Sequence, residues 1–75
     1  MQNTLSSLKP NQSGKIVRIE GGYGLQRKLR TLGIREEKKV KMVARQPIKG
    51  PVVIEIDNRQ TTIGRGMANK IIIEI

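Results

Sequence analysis

The chain has no cysteine, no histidine, no tryptophan and no phenylalanine, and Tyr23 is its sole aromatic residue. Each absence removes a class of function. Without cysteine there is no disulfide and no thiolate to hold structural zinc. Without histidine as well, the commonest general base, the thiolate nucleophile and the usual ligands of zinc, copper and non-haem iron are all missing. A single ring is a poor stacking platform, which disfavours single-stranded nucleic acid as a partner. Recognition of Pro-rich peptides needs an aromatic-lined groove and is disfavoured for the same reason. Apolar runs such as Ile71-Ile72-Ile73 are too short to span a bilayer. Residues 1–13 lack the basic start and long apolar core of a secretion signal, so a cytoplasmic protein is expected.

Positive charge is in excess. The 75 residues carry 15 Lys and Arg against 6 Asp and Glu, a formal net charge of +9. Between Arg27 and Lys49 stand Arg27, Lys28, Arg30, Arg35, Lys38, Lys39, Lys41, Arg45 and Lys49, opposed only by Glu36 and Glu37. Such a band attracts acidic protein faces, anionic membrane or nucleic acid; the alternative is that it simply solvates the outside of a small domain. The length bounds the chain to one domain, residues 1–75, with residues 1–13 as a loose lead-in from which Leu5 and Leu8 reach the core. A domain this small must pack a dense aliphatic core of Ile, Val and Leu to fold.

The patterning is mainly β with one inserted α-helix at about residues 24–32. Leu25, Leu29 and Leu32 follow i, i+4, i+7 spacing and are expected to share the buried face, with Arg27 and Arg30 opposite. Gly33 reads as a left-handed C-cap, and Gly21-Gly22 frees the turn into the helix. Tyr23 is expected to cap the helix start against the leucines. Strands are expected at 13–20, with Val17 and Ile19 inward and Ile16 at a bulge or a second buried face, and at 38–45, with Val40, Met42 and Ala44 inward. A loop at 46–50 leads to a strand with Val52, Ile54 and Ile56 inward, and Pro51 fits its start. Asp57 to Gln60 reads as a hairpin turn, 61–64 as a fourth strand, the stretch near 65–69 as a short helical turn, and 70–75 as the closing strand. About five short strands with brief connections describe a small β-barrel.

No catalytic constellation emerges, so neither an enzyme nor a cofactor is expected. Gly21-Gly22-Tyr23-Gly24 lacks the third glycine of a dinucleotide fingerprint, because Arg27 stands there. Gly14-Lys15 lacks the hydroxyl and the helix that a phosphate loop requires. Glu55 and Asp57 share an outward strand face, but two carboxylates fall far short of a calcium or magnesium cage; offsetting nearby lysines is the plainer role.

Several pieces stand in a telling order: Leu5-Ser-Ser-Leu8 with Gly14-Lys-Ile16, Gly21-Gly22, and Arg27-Lys-Leu-Arg-Thr-Leu-Gly-Ile34, followed by Val40-Lys-Met-Val43, Gly50-Pro-Val-Val-Ile54, and Gly64-Arg-Gly-Met-Ala68 leading to Ile71-Ile-Ile73. Taken together they resemble the FeoA family, small cytosolic proteins of bacterial ferrous iron transport. The resemblance covers nearly the whole chain and implies an SH3-like β-barrel with a helix inserted after the first strand. It also implies an accessory of FeoB, a membrane permease with a cytosolic GTPase domain. Metal-dependent bacterial repressors carry a similar barrel at their C-terminus. Relatives usually have glycine where Glu37 stands, which puts the local turn geometry in question.

The resulting expectation is an interaction module without catalytic activity that binds the permease's cytosolic part and modulates uptake. Its contact residues would be Arg27, Lys28 and Arg30 on the helix with Arg35 and Lys49 in loops, speeding encounter with an acidic partner or holding the module near anionic lipid. The alternative is a small basic nucleic-acid-binding barrel whose same band tracks phosphates.

Overall fold

A computed structural model describes residues 1–46 and 48–75. Six strands, two short helices and a 3-10 turn follow one another: β1 (Gln2–Thr4), the turn (Leu5–Ser7), β2 (Ser13–Ile19), α1 (Tyr23–Thr31), β3 (Lys39–Arg45), β4 (Val52–Ile56), β5 (Arg59–Ile63), α2 (Arg65–Ala68) and β6 (Ile71–Glu74). The strands form one antiparallel sheet in the order β1-β6-β2-β3-β4-β5. The Cα atoms span 29 × 24 × 22 Å, so no dimension is as thin as a flat sheet. The sheet is rolled around one aliphatic cluster to which every strand from β2 to β6 contributes.

The strand missed by pattern alone is β1. Its Gln2-Asn3-Thr4 has no apolar alternation, yet it pairs with Ile72 to Glu74 of β6. The lead-in is therefore not loose: residues 2–4 are laddered, and Leu5 and Leu8 are completely buried, as their apolar character requires. Strands number six, not five.

Two bulges correct the inward assignments. In β2 the register shifts between Ile16 and Arg18, so Ile16 and Ile19 are buried and Val17, the extra residue, is only half-buried. In β3 it shifts between Met42 and Ala44; Val40 and Met42 point inward, but Ala44 is turned out to solvent. An unpaired extra residue moves every later side chain to the other face and bends the strand, which lets a single sheet roll around its core. Alternation in β4 is regular, and Val52, Ile54 and Ile56 are buried as expected. The β4–β5 hairpin is tighter than the expected four-residue turn. Asp57 and Asn58 alone make it, at φ 54° and 64°, and Arg59 and Gln60 already lie in β5. Two successive left-handed residues are the signature of the type I′ turn, which Asp and Asn tolerate. The expected loop at 46–50 includes Pro47, which lies outside the described residues.

Glu37 adopts φ 75°, so the turn after Ile34 keeps a left-handed residue although no glycine stands there. A Cβ in that conformation costs about 1–2 kcal/mol. The pair between Glu37 and Lys15 (3.4 Å) is exposed and offsets little of this. Glu37→Gly is therefore expected to stabilise the fold by about 0.5–1 kcal/mol, a rise in Tm of about 2–8 °C for a domain of this size. Thermal melting followed by circular dichroism checks it.

Candidate interaction face

The helix α1 presents the candidate residues. Its middle, Leu25 to Arg30, is built from strong helix formers, and Lys28 and Arg30 in the last turn complement the helix dipole. Gly21 at φ 120° makes the entry possible: a Cβ there would come within 2.7 Å of Leu25 Cδ2. The Gln26 amide donates to the carbonyls of Ile19 (3.4 Å) and Gly21 (3.2 Å), tying the first turn back to the end of β2. Gly33 at φ 83° ends the helix as expected.

Only one side chain of α1 is fully buried. Leu29 is completely buried, Leu25 packs partly against the core, and Ile34 beyond the C-cap supplies the next buried contact. Leu32 departs from the expected buried face at 39% exposure. The helix ends at Thr31, and after the reversal at Gly33 Ile34 takes the inward place that a further turn would have given Leu32.

Tyr23 also departs from expectation. It is 74% exposed and does not cover the leucines. Instead the Arg27 guanidinium lies over its ring, 5.3 Å from the centroid. Tyr23, Arg27 and Arg30 follow i, i+4, i+7 spacing and so make one solvent-facing stripe; Lys28, exposed as well, leaves the helix on another side. The stacked pair holds a flat aromatic–cation surface in place, worth about 0.5–1 kcal/mol at an exposed site.

The acidic residues leave this stripe alone. Glu20 pairs with Arg18 (3.2 Å), Glu37 with Lys15 (3.4 Å), Glu55 with Lys41 (3.7 Å), Asp57 with Lys38 (2.9 Å) and Glu74 with the N-terminal amine. Glu55 and Asp57 thus each face a lysine, the arrangement in which carboxylates offset neighbouring charge. Among the described residues, no carboxylate lies within 4.0 Å of Arg27, Lys28, Arg30, Arg35 or Lys49, and all five are exposed. The structure brings the first three together on α1 and places Arg35 just beyond it. It does not bring Lys49 to them: Arg35 precedes β3 and Lys49 follows its far end.

Not every cation is free to contact a partner. Arg45 donates to the Leu8 carbonyl (3.0 Å), while Arg65 donates to the carbonyls of Gln46 (2.8 Å) and Gly50 (3.2 Å). These two act as struts for loops. An open depression of about 340 Å³ over β3 and β4 is lined by Ser13, Lys39, Lys41, Glu55, Asp57 and Asn58. No helix among the described residues is long and apolar enough to cross a membrane.

Comparison with known proteins agrees with this architecture. A family model for the FeoA domain matches residues 3–75. A protein of Methanocaldococcus jannaschii named as a candidate Fe(2+) transport protein A is 33% identical over 70 residues, 93% of this chain and 83% of that one. The crystal structure of an iron uptake regulatory protein, FeoA, superposes with a TM-score of 0.93 at 27% identity, over 99% of this chain and 97% of that one. FeoA of Stenotrophomonas maltophilia, solved with zinc and described as an SH3 domain protein, superposes with a TM-score of 0.81 at 22% identity, over 96% and 89% of the two chains. The rolled six-stranded sheet is thus the SH3-like barrel of these proteins. The motif order along the sequence, the strand order in space and the family match over residues 3–75 agree, and the chain belongs to the FeoA family.

Proposed function

We propose that this chain is a non-catalytic accessory of ferrous iron transport that binds the cytosolic part of a FeoB-type membrane permease and modulates uptake. It acts in the cytoplasm, at the inner face of the membrane. Family membership supports the transport role, and the S. maltophilia relative carries the description of a candidate activating factor of ferrous iron transport. The observation that carries the docking role is the outer face of α1. Tyr23, Arg27, Lys28 and Arg30 are exposed on one short helix with no carboxylate beside them, while five of the six acidic residues are committed elsewhere. Tyr and Arg are the residue types that most often anchor interfaces, and unneutralised cations steer encounter with an acidic surface. Arg35 extends this face, whereas Lys49, beyond the other end of β3, lies apart from it.

The test is a binding titration of the chain against the permease's isolated cytosolic domain, with and without guanine nucleotide. Saturable binding that weakens as salt is raised is expected. Absence of binding in every nucleotide state contradicts the proposal.

A further inference from the structure

The β3–β4 loop presents an apolar side chain that the fold does not use. Ile48 is 84% exposed, more than any other described large apolar residue except Met1. The neck of its loop is held closed. The Arg65 guanidinium bonds the carbonyls of Gln46 and Gly50 on the two sides of the neck. A Cβ on Gly50 would lie 2.5 Å from Gln46 Cβ, so the two sides are in close contact. Lys49, next to Ile48, sits at φ 45°, a conformation that disfavours a side chain. Gln46 and Gly50 are thus braced together, and between them Ile48 stands beside Lys49.

The charge around this tip is of one sign. The Arg45 bond to the Leu8 carbonyl brings Leu8, and with it Lys9, to this end of the barrel, and the Arg65 bonds bring the start of α2 there. The segments 5–12, 44–52 and 63–69 contain Lys9, Arg45, Lys49 and Arg65 and no Asp or Glu. The Lys15–Glu37, Lys41–Glu55 and Lys38–Asp57 pairs all lie toward the other end of β3, near its start or at the β4–β5 hairpin. An exposed aliphatic side chain on segments whose charges are all cationic is the chemistry of an interfacial lipid anchor: the apolar group enters the acyl boundary while the free lysines stay among anionic headgroups.

We infer that this end of the barrel docks on an anionic bilayer surface, with Ile48 inserted and Lys9 and Lys49 on the headgroups. The docking stands apart from permease binding, since α1 and the tip lie beyond opposite ends of β3 and vesicles of pure lipid suffice to show it.

The test uses the whole chain carrying Ile48→Trp, which becomes its only tryptophan. Its emission is expected to shift to the blue with vesicles of phosphatidylcholine mixed with phosphatidylglycerol and to stay unchanged with phosphatidylcholine alone. In vesicle sedimentation of the otherwise unaltered chain, Ile48→Ser is expected to lower partitioning about tenfold, in proportion to the apolar area withdrawn. Lys9→Glu with Lys49→Glu is expected to lower it more than about tenfold. Both changes are at exposed sites, so circular dichroism should match the parent. An emission that does not move on the anionic vesicles, as for a tip that seats in a protein pocket instead, overturns the inference. Partitioning indifferent to Ile48→Ser does so equally, because binding would then be charge alone.

Discussion

Leu29→Ala is expected to cost about 2–5 kcal/mol and to release α1 from the barrel. Leu29 is the one residue of α1 with no exposed surface, and it joins the same cluster as Ile34, Ile54 and Ile73. A chain of 75 residues has a total stability of roughly 4–11 kcal/mol, so this loss takes a large share of it. The paired control is Leu32→Ala. Leu32 carries the same sequence periodicity but is 39% exposed, and its truncation should cost less than about 1 kcal/mol. Urea unfolding followed by far-ultraviolet circular dichroism reads both, since the chain has no tryptophan to report by fluorescence. Equal costs at the two positions would mean that the helix is seated on a different face. Partner binding should fall with Leu29→Ala in step with unfolding, because the face that carries Tyr23, Arg27 and Arg30 exists only while Leu29 holds α1 down.

The second large effect is on binding rather than on stability. Arg27→Glu combined with Arg30→Glu is expected to weaken the complex with the permease's cytosolic domain by about tenfold or more, because like charges then face each other across the contact. Much of the loss should appear in the association rate and diminish at high salt, the mark of electrostatic steering. Stability should change by no more than about 1 kcal/mol. Neither arginine has a carboxylate partner to lose, and the Tyr23 stack is worth only a fraction of that. Leu29→Ala and the double reversal therefore separate the two ways of losing function. One removes the helix and the other removes its charge.

Local pattern carried much of this architecture. Leu25 and Leu29 at helical spacing before Gly33 marked α1, and Val52, Ile54 and Ile56 in strict alternation marked the inner face of β4. Those signals survive because one residue type on one face is enough to state them. The β2 bulge shows in the sequence as Ile16 breaking the alternation, but the bulge at Val43 leaves no such mark. Where an extra residue is absorbed depends on how β6 and β4 pair across from it, which no local window contains. Gln2-Asn3-Thr4 is invisible as a strand because its pairing comes from backbone groups meeting the exposed edge of β6. The candidate face was partly legible. Arg27 and Arg30 share a face by helical spacing, but Lys49 is near them in sequence and not in space, because β3 intervenes. The exposure of Tyr23 and Ile48 is not written in the sequence, because exposure of an apolar or aromatic side chain is set by what packs above it. A lone isoleucine in a loop gives no periodic signal at all.

The central claim is that the outer face of α1 is the docking surface. One measurement tests it most directly: the dissociation constant for the permease's cytosolic domain, determined for the parent chain and for the Arg27→Glu, Arg30→Glu variant at low salt, with matched circular dichroism for the two proteins. The account predicts a correctly folded variant that binds about tenfold or more weakly. A folded variant that binds as tightly as the parent would contradict it and move the contact to another face of the barrel.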